Sequence, residues 1–447
     1  MLNSIDKGFT SFDPEVENLL LEQDEMSRNP FFAFLIVAAI SGSVCTASAA
    51  DAIEEQRFRV SGFATLGAVK SGDEDLGFTQ GLYQEGVFDG DWSLKSNSNI
   101  GLQLDATIND RLSAAVQLVG KTRVENNLEN SIEWAFLRYR ASQSITFRAG
   151  RLGPNNYMLS DYRNIGFAYL WVRPPTEFYS ILSFDHLDGL DVAYTTAAGS
   201  GTFRGGLQLG KTSSTFQRAD ELYDVKINPL VSATLVWEND VWQALISAAM
   251  IEFDSDKYVP GTEQLAEAME AVSALWPDSE TYRKSLESAG KRSKYYSLSW
   301  SYSPEEWQVQ SEISYFDTGV DPYGTYRTGY LSVGRHIGPS TVYVMWAKAD
   351  RGEDRTLIEP PPTVGLPWQP LLDGIYAGTQ YLYDALQVDQ NTTTLGVRWN
   401  ILYNLAAKAQ WDHTRVNAYG SGFWDQRTIP ADDRTIDTFT INLNYVF

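Results

Sequence analysis

The sequence predicts an all-β chain closed as a transmembrane, antiparallel, up-and-down β-barrel of about sixteen strands, and three observations carry that expectation. Segments of about ten residues alternate apolar and polar side chains through most of the chain. Short connections alternate with long ones. Large aromatic residues recur near segment ends on the apolar parity. A period of two places one residue set on each face of a strand, as a wall between hydrocarbon and water requires.

Composition narrows the alternatives. The chain has 447 residues, of which 43% are apolar and 13% aromatic, and its mean hydropathy of −0.28 excludes a polytopic helical membrane protein. A barrel escapes that exclusion because its lumen-facing positions dilute the apolar signal. A net charge of −22 argues against a nucleic-acid partner. The single cysteine, Cys45, excludes a disulfide framework. His186, His336 and His413 are widely separated, so no metal and no cofactor are expected.

The first fifty residues are not expected to belong to the fold. Within residues 26–50, Arg28 precedes an apolar run from Phe31 to Ile40, and Ala47-Ser48-Ala49 supplies the small-residue pattern of a cleavage site. The run is shorter than the roughly 20 residues of a membrane-spanning helix. Residues 1–25 are acidic and are read as a non-native extension from an early start, with Met26 as the true start. Residues 51–447 are expected to form one barrel domain.

Taken in order, Ile100, Leu102, Leu104, Ala106 and Ile108 alternate with polar or small neighbours, Asn109-Asp110 turns, and Leu112, Ala114, Val116 and Leu118 resume. Further segments start near Arg57, Ser131, Ile145, Leu187, Gly201, Pro229, Val241, Lys294, Glu306, Thr328, Ser340, Asp389, Leu405 and Arg434. Short turns fall at residues 109–110, 141–144, 198–200, 238–240, 303–305, 338–339 and 402–404. Long connections fall at 71–95, 152–186, 253–293, 351–388 and 417–433. Trp134, Tyr194, Trp237, Trp242, Trp300, Tyr302, Trp307, Trp399 and Trp411 suit girdles at the membrane interfaces. In 253–293, Leu265, Met269, Val272 and Leu275 recur at helical spacing, with Pro277 as an interruption. The prolines from Pro360 to Pro370 predict an extended, stiff loop.

In the last segment Phe439, Ile441, Leu443, Tyr445 and Phe447 alternate with Thr438, Thr440, Asn442 and Asn444. An amphipathic strand ending on an aromatic residue resembles the assembly signal of Gram-negative outer-membrane barrels. With the export signal and the strand count, the chain resembles the sixteen-stranded Gram-negative porin superfamily, in a branch marked by Ser160-Asp161-Tyr162 and Val172-Arg173-Pro174-Pro175. The resemblance implies localisation in the cell outer membrane, a homotrimer, contact with outer-membrane lipid and lipopolysaccharide, and insertion by the outer-membrane assembly machinery. It also implies that the third long loop, 152–186, folds into the lumen as a constriction. This loop carries Arg163 and Arg173, with Arg151 where strand five becomes loop, beside Asp161, Glu177 and Asp185, a departure from the acid-rich loops usual in such porins.

Strand parity adds Arg148, Arg204, Arg398 and Lys408 to the lumen-facing set, together with Asp105, Asp191, Glu312 and Asp412. Arg148, Arg204 and Arg398 are expected to form a basic wall facing the loop acids, giving a transverse field. The expected function is a water-filled channel for passive diffusion of small hydrophilic solutes and ions. A substrate-specific channel for anions such as phosphate or carboxylates is the alternative, and a non-conducting adhesin or structural barrel the second. Catalysis is not expected: His186 beside Asp188, and His413 beside Asp412, lack a positioned nucleophile.

Overall fold

The computed structural model describes residues 57–447, except 82, 183, 219–220, 255–256, 353–354 and 366. The expectations for residues 1–25 and 26–50 lie outside the described residues.

Sixteen long strands follow one another around the wall. They are β1 Phe58–Ser71, β2 Asn99–Thr107, β3 Leu112–Lys121, β4 Ile132–Arg140, β5 Ile145–Leu152, β6 Leu187–Ala198, β7 Gly201–Arg218 and β8 Glu221–Glu238. The circuit continues through β9 Trp242–Phe253, β10 Arg292–Tyr302, β11 Trp307–Asp317, β12 Thr325–Ile337, β13 Ser340–Asp350, β14 Val388–Leu402, β15 Leu405–Ser421 and β16 Arg434–Val446. Each pairs antiparallel with its neighbours in sequence, and β1 pairs with both β2 and β16, so the sheet closes. Closure removes every sheet edge, the condition for crossing hydrocarbon with strands.

Burial alternates along most of the strands. In β10, Ser293, Tyr295, Ser297 and Ser299 are buried inside, whereas Tyr296, Leu298 and Trp300 are exposed outside. The outer set is apolar around the whole circuit: Leu66, Leu104, Leu190, Leu207, Ile246, Ile313, Val344, Leu395 and Ile441 all stand exposed. A large aliphatic side chain forfeits about 1.5–3 kcal/mol by remaining in water, so this belt requires lipid. Aromatic rings gather at the turn end, where Trp242 packs on Tyr302 at 4.3 Å and Tyr445 stacks on Phe447 at 6.0 Å.

The seam is held where Phe447 N donates to Gly62 O and Gly62 N donates to Phe447 O, each at 3.0 Å. The Phe447 ring lies across Gly62, where a Cβ would stand 2.3 Å from it.

Three local expectations differ. Trp134 does not join the outer girdle: a register shift between Gln117 and Leu118 accompanies its turn inward, and it packs beside Ala115, Phe136 and Leu152. The strand expected from Pro229 begins at Glu221, because β7 and β8 continue past the proline through a register shift between Ile227 and Leu230. The proline-rich stretch gives way to a helix that was not anticipated.

That helix belongs to a helical cap on the loop side. The described helices are α1 Leu128–Ser131, α2 Thr176–Tyr179, α3 Glu263–Ala271, α4 Ser279–Ser285 and α5 Gln369–Ala385. Met269, Val272, Trp276 and Leu286 of the loop after β9 bury against Leu372 and Ile375 of α5, a core separate from the barrel's own. Pro370 sits in the first turn of α5, where its missing N–H is harmless.

Candidate pore constriction

The third loop, residues 153–186, leaves β5 and crosses the interior before rejoining the wall at β6. Its composition explains why. Tyr157, Tyr169, Trp171 and Phe178 are too apolar to stay in water, and they pack against the inward Tyr295, Phe316, Tyr330 and Tyr343 of β10 to β13. Trp171 meets Tyr330 edge-on at 5.4 Å, and Phe178 meets the same ring at 5.7 Å. The barrel interior is therefore a packed aromatic core on that side, and a polar cleft remains along β1 to β3.

Wall side chains fix the loop backbone. The Lys408 Nζ, almost wholly buried, donates to the carbonyls of Gly166, Tyr169 and Trp171 at 2.5–2.6 Å. Arg398 donates to Phe167 O at 2.8 Å and Tyr169 O at 3.0 Å. Arg173 pairs with Asp412 and donates to Thr440 Oγ1 at 2.7 Å. Glu177 accepts from Gln390 at 2.8 Å and from Thr392.

Glu312 on β11 is fully buried and accepts four bonds. These come from Met158 N at 3.1 Å, Ser299 Oγ at 2.7 Å, Tyr330 OH at 2.8 Å and the Tyr179 hydroxyl. Burial, and then the Glu312 charge, push the Tyr179 phenol well above its ordinary pKa.

On the opposite side the loop ends in an ionic knot. Lys121 Nζ lies 2.8 Å from Asp185 and 3.2 Å from Glu133, Arg123 bonds Glu133 at 3.0 Å, and Arg163 bonds Glu133 at 3.1 Å. Burial alone would raise the Asp185 carboxyl, but Lys121, Arg123 and Arg163 override it and hold the group well below the usual carboxylate range.

Nearer the turn end, Arg148 pairs with Asp191 at 2.9 Å. Arg138 is its direct cross-strand partner on the same inward face, and both guanidinium groups lie within 5.6 Å of the Phe136 ring. The loop presents the exposed Asp161 within electrostatic reach of both arginines.

The structure thus brings Arg163 together with Asp185, Arg173 with Asp412, and Arg398 with Lys408. Arg148, Arg204 and Arg398 do not converge: Arg204 pairs with Glu238 at 3.3 Å near the turns, and Arg398 is spent on loop carbonyls. Arg151 is not a constriction residue. It shares the outward face of Ala149 and Leu190 and pairs with Asp188 at 2.9 Å, because alternation continues unbroken through Gly150. Lys121, Arg123, Glu133 and Arg138 were missed. Arg138 was legible in the alternation of Phe136, Arg138 and Arg140, which the register shift at Ile132 obscured.

Geometry defines the class: a membrane-spanning, sixteen-stranded antiparallel barrel with its third loop infolded and bonded to the far wall. No family model matches the chain, and no curated protein sequence matches it. Among solved structures, it is similar to the outer membrane channel DcaP of Acinetobacter baumannii, with 12% identity over 87% of this chain and 97% of that one at a TM-score of 0.49. It is also similar to the anion-selective porin from Comamonas acidovorans, with 14% identity over 87% and 99% at a TM-score of 0.48. A third is the outer-membrane OmpT of Vibrio cholerae, with 11% identity over 88% and 99% at a TM-score of 0.47.

Proposed function

We propose that the protein is an outer-membrane porin, a channel for passive diffusion of small hydrophilic solutes and ions. The observation that carries this reading is the infolded loop: aromatic packing fills one side of the lumen while a polar cleft remains beside β1 to β3, from Thr65 and Asn99 to Lys121. A barrel built only to display loops has no use for a constriction fixed by buried charges such as Lys408 and Glu312. In this reading the chain is exported through its cleavable signal peptide, inserted by the assembly machinery acting on the last strand, and set among lipopolysaccharide as a homotrimer. The test is reconstitution into planar bilayers with a parallel liposome-swelling assay. Discrete conductance steps and sugar-driven swelling are expected; a tight barrel that passes neither overturns the proposal.

A second reading, preference for anions, is favoured by one observation. Arg138 stands beside the Arg148–Asp191 pair and, among the described residues, meets no carboxylate at ion-pair distance, so it adds a positive charge that Asp161 opposes only from the loop. A reversal potential under a salt gradient decides it.

A further inference from the structure

We infer that the inward wall at the turn end of β3 to β5 is a binding site for a polyvalent oxyanion, a solute with two or more carboxylate or phosphate groups. The site extends the anion reading by a solute class and by two further arginines, Arg111 and Arg140. It rests on the channel reading only for the solute's route, not for its binding.

Strand register builds the site. Arg138, near the end of β4, lies directly opposite Arg148 of β5. Arg140, two residues nearer the turn, lies opposite Arg111, which precedes β3 on the inward parity of Ser113; the Arg140 N–H donates to the Arg111 carbonyl at 2.7 Å. Two arginine–arginine contacts therefore share β4, one stacked on the other. Like charges directly opposite one another destabilise an antiparallel pair.

The protein's own carboxylates relieve only part of this. Arg148 spends its guanidinium on Asp191 at 2.9–3.0 Å, and Arg59 of β1 takes Asp105 at 3.1 Å. Asp161 acts on Arg138 from the loop, and Asp110 stands in the turn beside Arg111. Among the described residues, Arg111, Arg138 and Arg140 meet no carboxylate at ion-pair distance, and all three are exposed. This cluster of cations stands in a chain whose net charge is −22, against the prevailing sign.

Geometry selects the ligand. A guanidinium fork gives two parallel bonds to a carboxylate or a phosphate. Facing residues stand about 4.5–5.5 Å apart across the strands, and positions two apart on one strand about 7 Å. A single carboxylate engages one row, whereas a polyvalent anion bridges both. Ser113 and Thr146, opposite Arg138 and Arg140, add hydroxyl donors beside the arginines.

Titration calorimetry on the full protein folded in detergent tests the site, with pyrophosphate and citrate as probes and acetate as the monovalent control. Saturable binding of the polyanions is expected, tighter than that of acetate. Arg111→Gln and Arg140→Gln should each weaken it at least about tenfold, the scale of one charge-assisted hydrogen bond. Arg335→Gln, which removes an exposed arginine lying over Trp307 and opposite it on β11, should change nothing. Binding of one polyanion alone keeps the site and says whether phosphates or polycarboxylates fill it. Affinity no better than that of acetate overturns the site, as does unchanged affinity in both lumen variants or an equal loss in Arg335→Gln. Each lumen variant removes a like-charge contact, so neither should unfold at a lower temperature than the native protein without probe; a lower one makes the arginines structural and also overturns the site. Saturable binding by a barrel that passes no current keeps the site and sinks the channel reading, so the two failures are distinguishable.

Discussion

The Nζ of Lys408 on β15 donates to the carbonyl oxygen of Trp171 in the third loop at 2.6 Å, reaching across the barrel interior rather than along its wall. Among the described residues no carboxylate joins this contact; the ammonium is satisfied by loop carbonyls and neighboured by Arg398. Substituting Lys408→Met keeps the length of the side chain but leaves buried carbonyls unsatisfied, at about 1–3 kcal/mol each. The expected outcome is a loosened loop: noisier single-channel current and a lower unfolding temperature. Current as quiet as that of the native protein would show that the aromatic packing alone holds the loop.

Glu312 binds two parts of the same loop through Met158 and Tyr179. Glu312→Ala leaves the Ser299 and Tyr330 hydroxyls and the Met158 amide without their acceptor, and a loss of several kcal/mol is expected. Denaturant unfolding in detergent measures it. Glu312→Gln should recover part of the loss, since one amide oxygen can still accept.

The Arg138 and Asp161 charges act on passing ions with opposite signs. Arg138→Ala should shift ion preference toward cations and Asp161→Asn toward anions, each by about 1 kcal/mol, the scale of one unit charge at 4 Å in water. Reversal potentials in a salt gradient give the answer, and shifts of equal sign would refute the opposed arrangement. Arg151→Ala, on the outer face, should leave the potential unchanged.

The Asp185 knot has a defined pH dependence. A carboxyl held below its unfolded value of about 3.9 contributes stability that is fully present above that value and is lost only as pH falls through the lower folded value. The native protein should therefore keep this contribution from neutral pH down to about pH 4. In Asp185→Asn it should be missing at every pH, leaving Lys121 and Arg163 with Glu133 alone. Thermal unfolding of both proteins across that range checks the sign.

Gly62 admits the Phe447 ring at the seam. Gly62→Ala should lower the yield of closed barrel in refolding, and Phe447→Ala in the same background should restore part of it by removing the clash.

The wall was legible because its physics is local. Alternation in Ile100 to Ile108, or in Phe439 to Phe447, states which face meets lipid without reference to any other strand. Inward parity for Arg148, Lys408, Glu312 and Asp412 followed from the same rule. What could not be read was which wall residue the loop would choose, since Lys408 and Trp171 are far apart in sequence and meet only through tertiary packing. Glu133 and Arg138 hid behind a register shift. Helix α5 hid behind Gly374 and Gly378, which weaken a helical signal that burial of Leu372, Ile375 and Tyr383 restores.

The third loop also constrains the order of assembly. It departs from β5 yet is bonded to Arg398, Lys408 and Asn442 on the final three strands. A cylinder shut first around nothing would have to admit four bulky rings afterwards and thread them past its own mouth. The insert and the last hairpins must instead come together as one event, so the step that seals the wall is also the step that sets the aperture.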